Sequence, residues 1–318
     1  MPLVASVTVP ATTANLGPGF DCIGVALTLY NQFEFICLEE PDAPNVKINV
    51  PGTHSSLISK DKTNLVYQAF TKLYEHLDQD PPAVEINIKM SIPLARGLGS
   101  SATAIIGGLL GANQLAGTPL SDVEILQLAI AIEGHPDNIV PALLGGCRLA
   151  TASQNELGMS WQICDIPWHE SIIPTIAVPN FTLSTEKARS VLPLEVSRSD
   201  AIFNISRMGL LLRGLEKGDE KWLRTALQDK IHQPYRQILI PGYKAVQKAT
   251  MEAGAYGMVI SGAGPSLLAL THFQKAKEVA AAMSEAWNAE GINAQARPLN
   301  IDTNGARSRR EMVTRRMR

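Results

Sequence analysis

No stretch of the chain approaches the roughly 18 uninterrupted apolar residues that a membrane-spanning helix requires, so no membrane role is expected. No basic segment precedes an apolar one at the start, which argues against a secretory leader. Cysteine is scarce. Cys22, Cys37, Cys147 and Cys164 stand far apart, without the close pairs of a zinc site, and the expectation is four buried thiols in a reducing cytoplasm. Net charge is only −2, so the chain has no general attraction for nucleic acid or anionic lipid and must hold any charged substrate by local groups. The glycine-rich stretch at 97–101 lacks the Gly-Lys-Ser/Thr ending of a Walker A loop, and Gly97, Gly99 and Gly107 lack dinucleotide-fingerprint spacing. No internal repeat is evident. At 318 residues, 45% hydrophobic and 18% charged, the chain suits two modest domains or one large one.

What is present centres on Pro93-Leu94-Ala95-Arg96-Gly97-Leu98-Gly99-Ser100-Ser101-Ala102. An alternating, strand-like run at 84–90 precedes it, and an apolar segment at 103–112 that can bury itself only as a core helix follows. Glycines let backbone approach an oxyanion, and the first free N–H groups of a helix point at it, so the stretch reads as a phosphate cradle. The hydroxyls of Ser100 and Ser101 would meet phosphate or a metal bound to it. The same residues also make a capped tight turn, and alone they leave both readings open.

Other polar groups fall at breaks in the pattern. A strand at 4–10 runs into a loop at 11–21, where Gly17, Pro18 and Gly19 bar regular structure and Asn15 and Asp21 flank the bend. Those two side chains either grip a small hydroxylated or aminated ligand or bond their own backbone. A helix begins at Thr63 or Asn64, either of which caps it, and Ser121-Asp122-Val123-Glu124 is a capping box. The helix it opens ends in Glu133-Gly134-His135-Pro136-Asp137-Asn138, where Glu133 is a candidate Mg²⁺ ligand. His135, Asp137 and Asn138 then face substrate, or merely stop one helix and cap the next. Arg189 and Arg236 are candidates for a carboxylate clamp. Ser261-Gly262-Ala263-Gly264-Pro265-Ser266 lies between two apolar strand halves and either turns a hairpin or approaches the anion of the cradle. The segment 308–318 carries five Arg and one Glu with no apolar face and is expected to be disordered.

Three of these elements, in this order, resemble the GHMP kinases: the 10–21 loop, the Pro-x-x-x-Gly-Leu-Gly-Ser-Ser-Ala cradle and the late Gly-Ala-Gly-Pro-Ser turn. Pro10 to Asp21, Glu133 to Asn138 and His232-Gln233-Pro234-Tyr235-Arg236 narrow the resemblance to members whose acceptor is L-homoserine. It implies an α+β, two-domain fold with an N-terminal domain like ribosomal protein S5 domain 2 (1–165) and a ferredoxin-like C-terminal domain (166–307), followed by the basic tail. It also implies ATP-dependent phosphorylation of L-homoserine on the way to threonine, in the cytoplasm, with no nucleic-acid or membrane partner and a homodimer left open. Carried over by position, Pro93, Leu94, Ala95, Arg96, Gly97, Leu98, Gly99, Ser100, Ser101 and Ala102 wrap the triphosphate and Asn64 lies near adenine. Ser100 and Glu133 hold Mg²⁺. Asn15 and Asp21 bind the amino-alcohol end, His135, Arg189 and Arg236 surround the substrate, and Thr185 lies near the transferring phosphoryl. Asp21 orients the hydroxyl, with Asp137 the weaker candidate for a base. The alternatives are another small-molecule kinase of the family, of mevalonate or sugar type, and a non-catalytic sensor on the same fold.

Overall fold

A computed structural model describes residues 2–39, 44–52, 55–155 and 158–312. The chain opens with two long antiparallel strands, β1 (Leu3–Ala14) and β2 (Ile23–Cys37). Their register shifts between Pro10 and Ala11. Proline has no N–H to give the ladder, and an irregularity is where a strand tolerates it. Beyond the shift, Ala11 to Ala14 pair with Leu27 to Gly24, so β1 continues into residues that the sequence marks as loop.

Next come β3 (Val46–Asn49), α1 (Leu65–His76), β4 (Val84–Lys89), α2 (Ser100–Leu115), α3 (Asp122–Glu133), α4 (Ile139–Leu144), β5 (Cys147–Asn155) and β6 (Gly158–Ile166). β4 pairs with β2 and β3, and β5 pairs with β2 and β6. α1 to α4 share one core with β1, β2 and β4, built from Phe33, Phe35, Phe70, Ile86, Ile105, Ile106 and Ile139. α2 is the central helix, with 12 of its 16 residues buried. It reaches the sheet because Gly107 and Gly111 carry no side chain: a Cβ would stand 2.6 Å from the Phe33 ring at one and 2.2 Å from the Phe35 ring at the other. The capping box at Ser121 forms, with the Glu124 carboxylate accepting from Ser121 N at 2.8 Å.

The second half runs β7 (Ile172–Pro179), α5 (Thr185–Ser190), α6 (Arg198–Lys217), α7 (Glu220–Ala226), α8 (Gln233–Arg236), α9 (Tyr243–Glu252), β8 (Gly257–Ile260), β9 (Leu267–His272), α10 (Ala276–Ala289) and β10 (Ala294–Pro298). Its four strands lie antiparallel in the order β10-β7-β9-β8, the ferredoxin-like arrangement. Val246, Met283 and Trp287 bury one face of this sheet under α9 and α10. On the other face Ile176, Leu268 and Leu270 join Leu211, Leu215 and Leu223 of α6 and α7. Leu16, Ile23, Ile92 and Leu98 from the first half complete that core, so the loop at 93–99 is packed between the two sheets.

Two expectations need correction. The tail from Ser308 is not disordered over its first five residues: β11 (Arg307–Met312) pairs antiparallel with β1, from Thr8↔Arg307 to Leu3↔Met312. The edge of β1 supplies ladder hydrogen bonds to any backbone, and charged side chains suit an exposed edge strand without an apolar face. Residues 313–318 lie outside the described residues. Of the four cysteines only Cys147 is buried, while Cys22 and Cys164 are exposed because they sit on a loop and on a solvent-facing strand position.

Candidate active site

The stretch 93–102 does lead from a strand into a helix, and the mouth of α2 is bare. Gly99 is its N-cap, at φ +66°, and no side chain caps the helix. The first N–H groups of α2 are therefore left for a ligand. Gly97 is required on both counts open to a glycine. It lies at φ +73°, and a Cβ would stand 2.1 Å from the Ser261 carbonyl oxygen. Gly99 is hemmed in likewise by the Thr12 hydroxyl, which would lie 1.9 Å from a Cβ.

The loop faces a cavity of about 330 Å³ lined by Ala95, Gly97, Gly99, Ser100 and Ser101 on one side and by Gly262, Ala263 and Gly264 on another. Asn15, Asp21, Glu133, His135, Asp137, Asn138, Thr185, Arg189 and Arg236 complete the wall. The structure thus gathers nearly every residue singled out in the sequence into one cleft. The exceptions are Asn64 and Leu94, which line a neighbouring cavity, Ala102, which is fully buried, and Pro93, Arg96 and Leu98, which line a separate groove on the back of the loop. A second cavity of about 260 Å³ continues past Ser100 and Ser101 between Phe33, Leu57, Ile58, Asn64, Met90, Leu94 and Ala104. It is apolar enough for a flat heterocycle. Asn64 is at its rim, with Oδ1 capping α1 at Val66 N (2.9 Å) and Nδ2 donating to Ser59 O (2.6 Å), so its side chain shapes the pocket.

Glu133 ends α3 beside the mouth of α2 and accepts a hydrogen bond from Ser101 Oγ at 2.5 Å. The sequence reading pairs Glu133 with Ser100; in the structure the hydroxyl bonded to it is that of Ser101, and Ser100 lines both cavities. Among the described residues no cluster of three His, Cys, Asp or Glu side chains can hold an ion unaided. One carboxylate with neighbouring hydroxyls is nevertheless the protein's usual share of a Mg²⁺ that arrives on phosphate oxygens, so the donors fit.

At the other end, Arg189 on α5 grips Asp21 through two hydrogen bonds, Nη1 to Oδ2 and Nη2 to Oδ1, both 2.9 Å. Asp21 lies at φ +56°, held there by Asn15, whose Oδ1 accepts from Asp21 N at 3.0 Å and whose Nδ2 donates to Gly262 O at 2.8 Å. Asn15 therefore works as a brace between the first loop and the late glycine turn. Arg236 is almost fully buried; its Nε donates to Ala188 O (3.1 Å) and its Nη1 to Gly262 O (3.2 Å). The Phe20 ring lies near both guanidinium groups, 5.8 Å from Arg189 and 5.0 Å from Arg236. The His232 ring stacks on Phe20 and hydrogen-bonds to Gly17 O at 2.9 Å, fixing the bend.

Charge in the cleft is mixed, with Asp21, Glu133 and Asp137 against Arg189, Arg236 and His135. Burial pulls the Arg236 pKa down to about 10, with Arg189 adding repulsion. The bond to Asp21 pushes Arg189 up, against partial burial. His135 Nδ1 lies 2.9 Å from Asp137 Oδ1, and that bond raises the histidine's pKa against partial burial. Asp137 also accepts from Asn138 Nδ2 (3.0 Å), and Asn138 accepts from Thr12 (2.8 Å).

Two residues are structural keys to the cleft, and the first of them, Asn31, was not marked by the sequence reading. Asn31, buried on β2, accepts from Ser91 N (3.0 Å) and Ile92 N (3.1 Å) and donates to Thr103 Oγ1 (3.0 Å), which donates to Ser100 O (2.9 Å). One amide thereby ties the entry of the loop to the first turn of α2. The signal was available: Asn31, Phe33 and Phe35 share the inward phase of β2, and a polar residue there must have partners. Ser261 Oγ bonds Gly97 O at 2.6 Å and Thr13 Oγ1 at 2.8 Å, joining the hairpin turn to the loop.

Comparison with known proteins gives a consistent picture. Residues 64–146 match the family described as "GHMP kinases N terminal domain" and residues 211–289 match "GHMP kinases C terminal". Similar proteins include a homoserine kinase of Nostoc punctiforme, 62% identical over 303 residues that cover 95% of this chain and 97% of the relative. A homoserine kinase of Crocosphaera subtropica is 63% identical, over 95% of this chain and 96% of its own length. Among solved structures, homoserine kinase from Cytophaga hutchinsonii superposes with a TM-score of 0.85 at 30% identity, covering 96% of this chain and 97% of that one.

Proposed function

The chain belongs to the homoserine kinases of the GHMP kinase family, and from that premise we propose that its cleft transfers the γ-phosphoryl group of ATP to the hydroxyl of L-homoserine. The observation that carries the reading is the uncapped mouth of α2 in the same 330 Å³ cavity as the Asp21–Arg189 pair. One end suits phosphate oxygens and the other suits a zwitterion. The adenine fits the apolar cavity beyond Ser100, and the triphosphate lies along residues 93–102 against the amides of the first turn of α2.

In this account the substrate's ammonium meets Asp21 and its carboxylate meets Arg189 and Arg236. The substrate's two charges replace the ion pair that Asp21 and Arg189 make with each other, so neither is left uncompensated. Asn15 holds Asp21 in place, which directs the hydroxyl toward the loop, with Thr185 and His135 beside the transferring group. The hydroxyl oxygen forms a bond to phosphorus as the bond to the ADP oxygen breaks, and the hydroxyl proton leaves late, to phosphate or solvent. Such a transition state is loose, so alignment and charge stabilisation supply most of the rate and a fixed base is not required. Asp137 is poorly placed to be one, since it is buried and accepts from Asn138 and bonds His135 already. Glu133, with Ser100 and Ser101, would hold Mg²⁺, which supplies charge neutralisation on the phosphate oxygens when bound.

The reading extends to a first domain of 1–165 and a second of 166–307 closing over ATP, to a place in threonine synthesis in the cytoplasm, and to freedom from nucleic-acid and membrane partners. Assembly as a homodimer is a matter for light scattering. Purified protein, ATP and Mg²⁺ with L-homoserine, mevalonate or galactose in turn, following ADP release, tests the substrate. Turnover with L-homoserine is expected; turnover with another alcohol and none with L-homoserine overturns the assignment.

A further inference from the structure

Arg96 stands inside the phosphate loop yet turns its side chain away from the cleft. Its guanidinium meets carbonyl oxygens: Nε donates to Pro179 O (2.9 Å), Nη2 to Asn180 O (3.0 Å) and Nη1 to Leu94 O (3.1 Å). Pro179 ends β7 and Asn180 follows it, so the fork joins the loop to the second sheet. Three successive loop carbonyls are held by donors from the second half of the chain. Ala95 O accepts from Leu183 N (3.2 Å), Arg96 O from Ser266 N (3.3 Å) and Gly97 O from Ser261 Oγ (2.6 Å).

Residues 179–183 lead straight into α5, the helix at the amino-acid end. Arg189 of α5 holds Asp21, and Ala188 O receives Arg236 Nε. The loop that offers amides to phosphate and the helix that offers a guanidinium to the amino acid are therefore hung from one short segment. A planar fork can satisfy carbonyls on two chain segments at once, which a lysine ammonium on a flexible stem does not do equally well.

We propose that Arg96 is a positioning residue that couples the two ends of the cleft, so that filling the amino-acid end sets the phosphate loop and filling the nucleotide end sets α5. The proposal rests on the reading of the site as a homoserine kinase cleft, and coupling of this kind is reciprocal between the two ligands.

The test uses the full chain and its Arg96→Met and Arg96→Lys variants. ADP binding is measured by calorimetry with and without saturating L-homoserine, and hydrogen exchange is followed at residues 95–102. In the unmodified protein L-homoserine should tighten ADP by about tenfold and slow exchange of the loop amides. Arg96→Met should lose both effects and raise KM for ATP and for L-homoserine together, with a melting temperature close to that of the parent; Arg96→Lys should fall between. The proposal is overturned if L-homoserine leaves ADP affinity and loop exchange unmoved in the unmodified protein, or if folded Arg96→Met keeps the full coupling. Should Arg96→Met not fold, the exchange result on the unmodified protein and the lysine variant decide. Absence of turnover with L-homoserine in the unmodified protein instead removes the underlying reading of the site, which separates the two failures.

Discussion

The two ends of the cleft are built by opposite means. At the end proposed for phosphate the groups left free are backbone amides, placed by glycines at positive φ and by the start of a buried helix. At the amino-acid end they are charged side chains drawn from far apart in the chain, as in the Asp21–Arg189 pair, whose members are 168 residues apart. Backbone geometry tolerates little substitution, because an added methyl group meets another backbone atom. A side-chain network has more give, since each member has partners that can take over part of its role. The phosphate end should therefore be the more brittle of the two.

Ordered from the largest expected effect, the following changes sharpen or break that contrast. Glu133→Gln leaves the Ser101 contact a hydrogen-bonding partner but removes the charge, and kcat should fall by about 1,000-fold, the scale of losing a transition-state charge stabiliser. Its melting temperature should hardly move, and near-normal turnover would remove Glu133 from the site. Gly97→Ala places a Cβ 2.1 Å from Ser261 O, so the loop must shift, and kcat/KM for ATP should drop about 100-fold with KM for L-homoserine less affected. A larger effect on L-homoserine than on ATP would contradict the division of labour. Arg189→Met should raise KM for L-homoserine by roughly 30-fold, as loss of a charge-assisted bidentate contact, while kcat changes less.

Asn31→Leu sits between the two regimes, because the residue lines the apolar cavity but spends its amide on holding the loop. It strands the N–H groups of Ser91 and Ile92 and should cost about 2 kcal/mol of stability, read by denaturant unfolding. Smallest is the effect of His135→Gln, visible in pH dependence. The Asp137 bond raises the His135 pKa in the folded chain, so the stability of the charged pair is fully present below about pH 6.5 and is lost as pH rises through the raised folded value. The parent's melting temperature should fall across that window and the variant's should not; parallel profiles would show that the histidine does not titrate there.

The same contrast explains what could be read from the residues alone. The cradle is contiguous, and its glycines, hydroxyls and following apolar run report its shape directly, as does the capping box at Ser121. The alternating strands and the ferredoxin-like second sheet follow from periodicity together with the family resemblance. Long-range pairings are not written locally. Nothing near Arg189 says that it will close on Asp21, and nothing near Arg96 says that its side chain leaves the cleft it lies beside. Asn15 reads as a ligand-binding amide, yet both of its polar atoms are occupied by Asp21 N and Gly262 O. β11 was hidden for a different reason: an edge strand is held by backbone, and its arginines carry no alternating apolar signal.

The most direct test of the account is a crystal structure with L-homoserine and a non-hydrolysable ATP analogue. The account predicts terminal phosphate oxygens within hydrogen-bond distance of the amides of Ser100, Ser101 and Ala102. It also predicts the amino acid between Asp21 and Arg189, with its hydroxyl directed at the γ-phosphorus. Phosphates bound away from the mouth of α2, or an amino acid bound with the Asp21–Arg189 pair still closed, would contradict it.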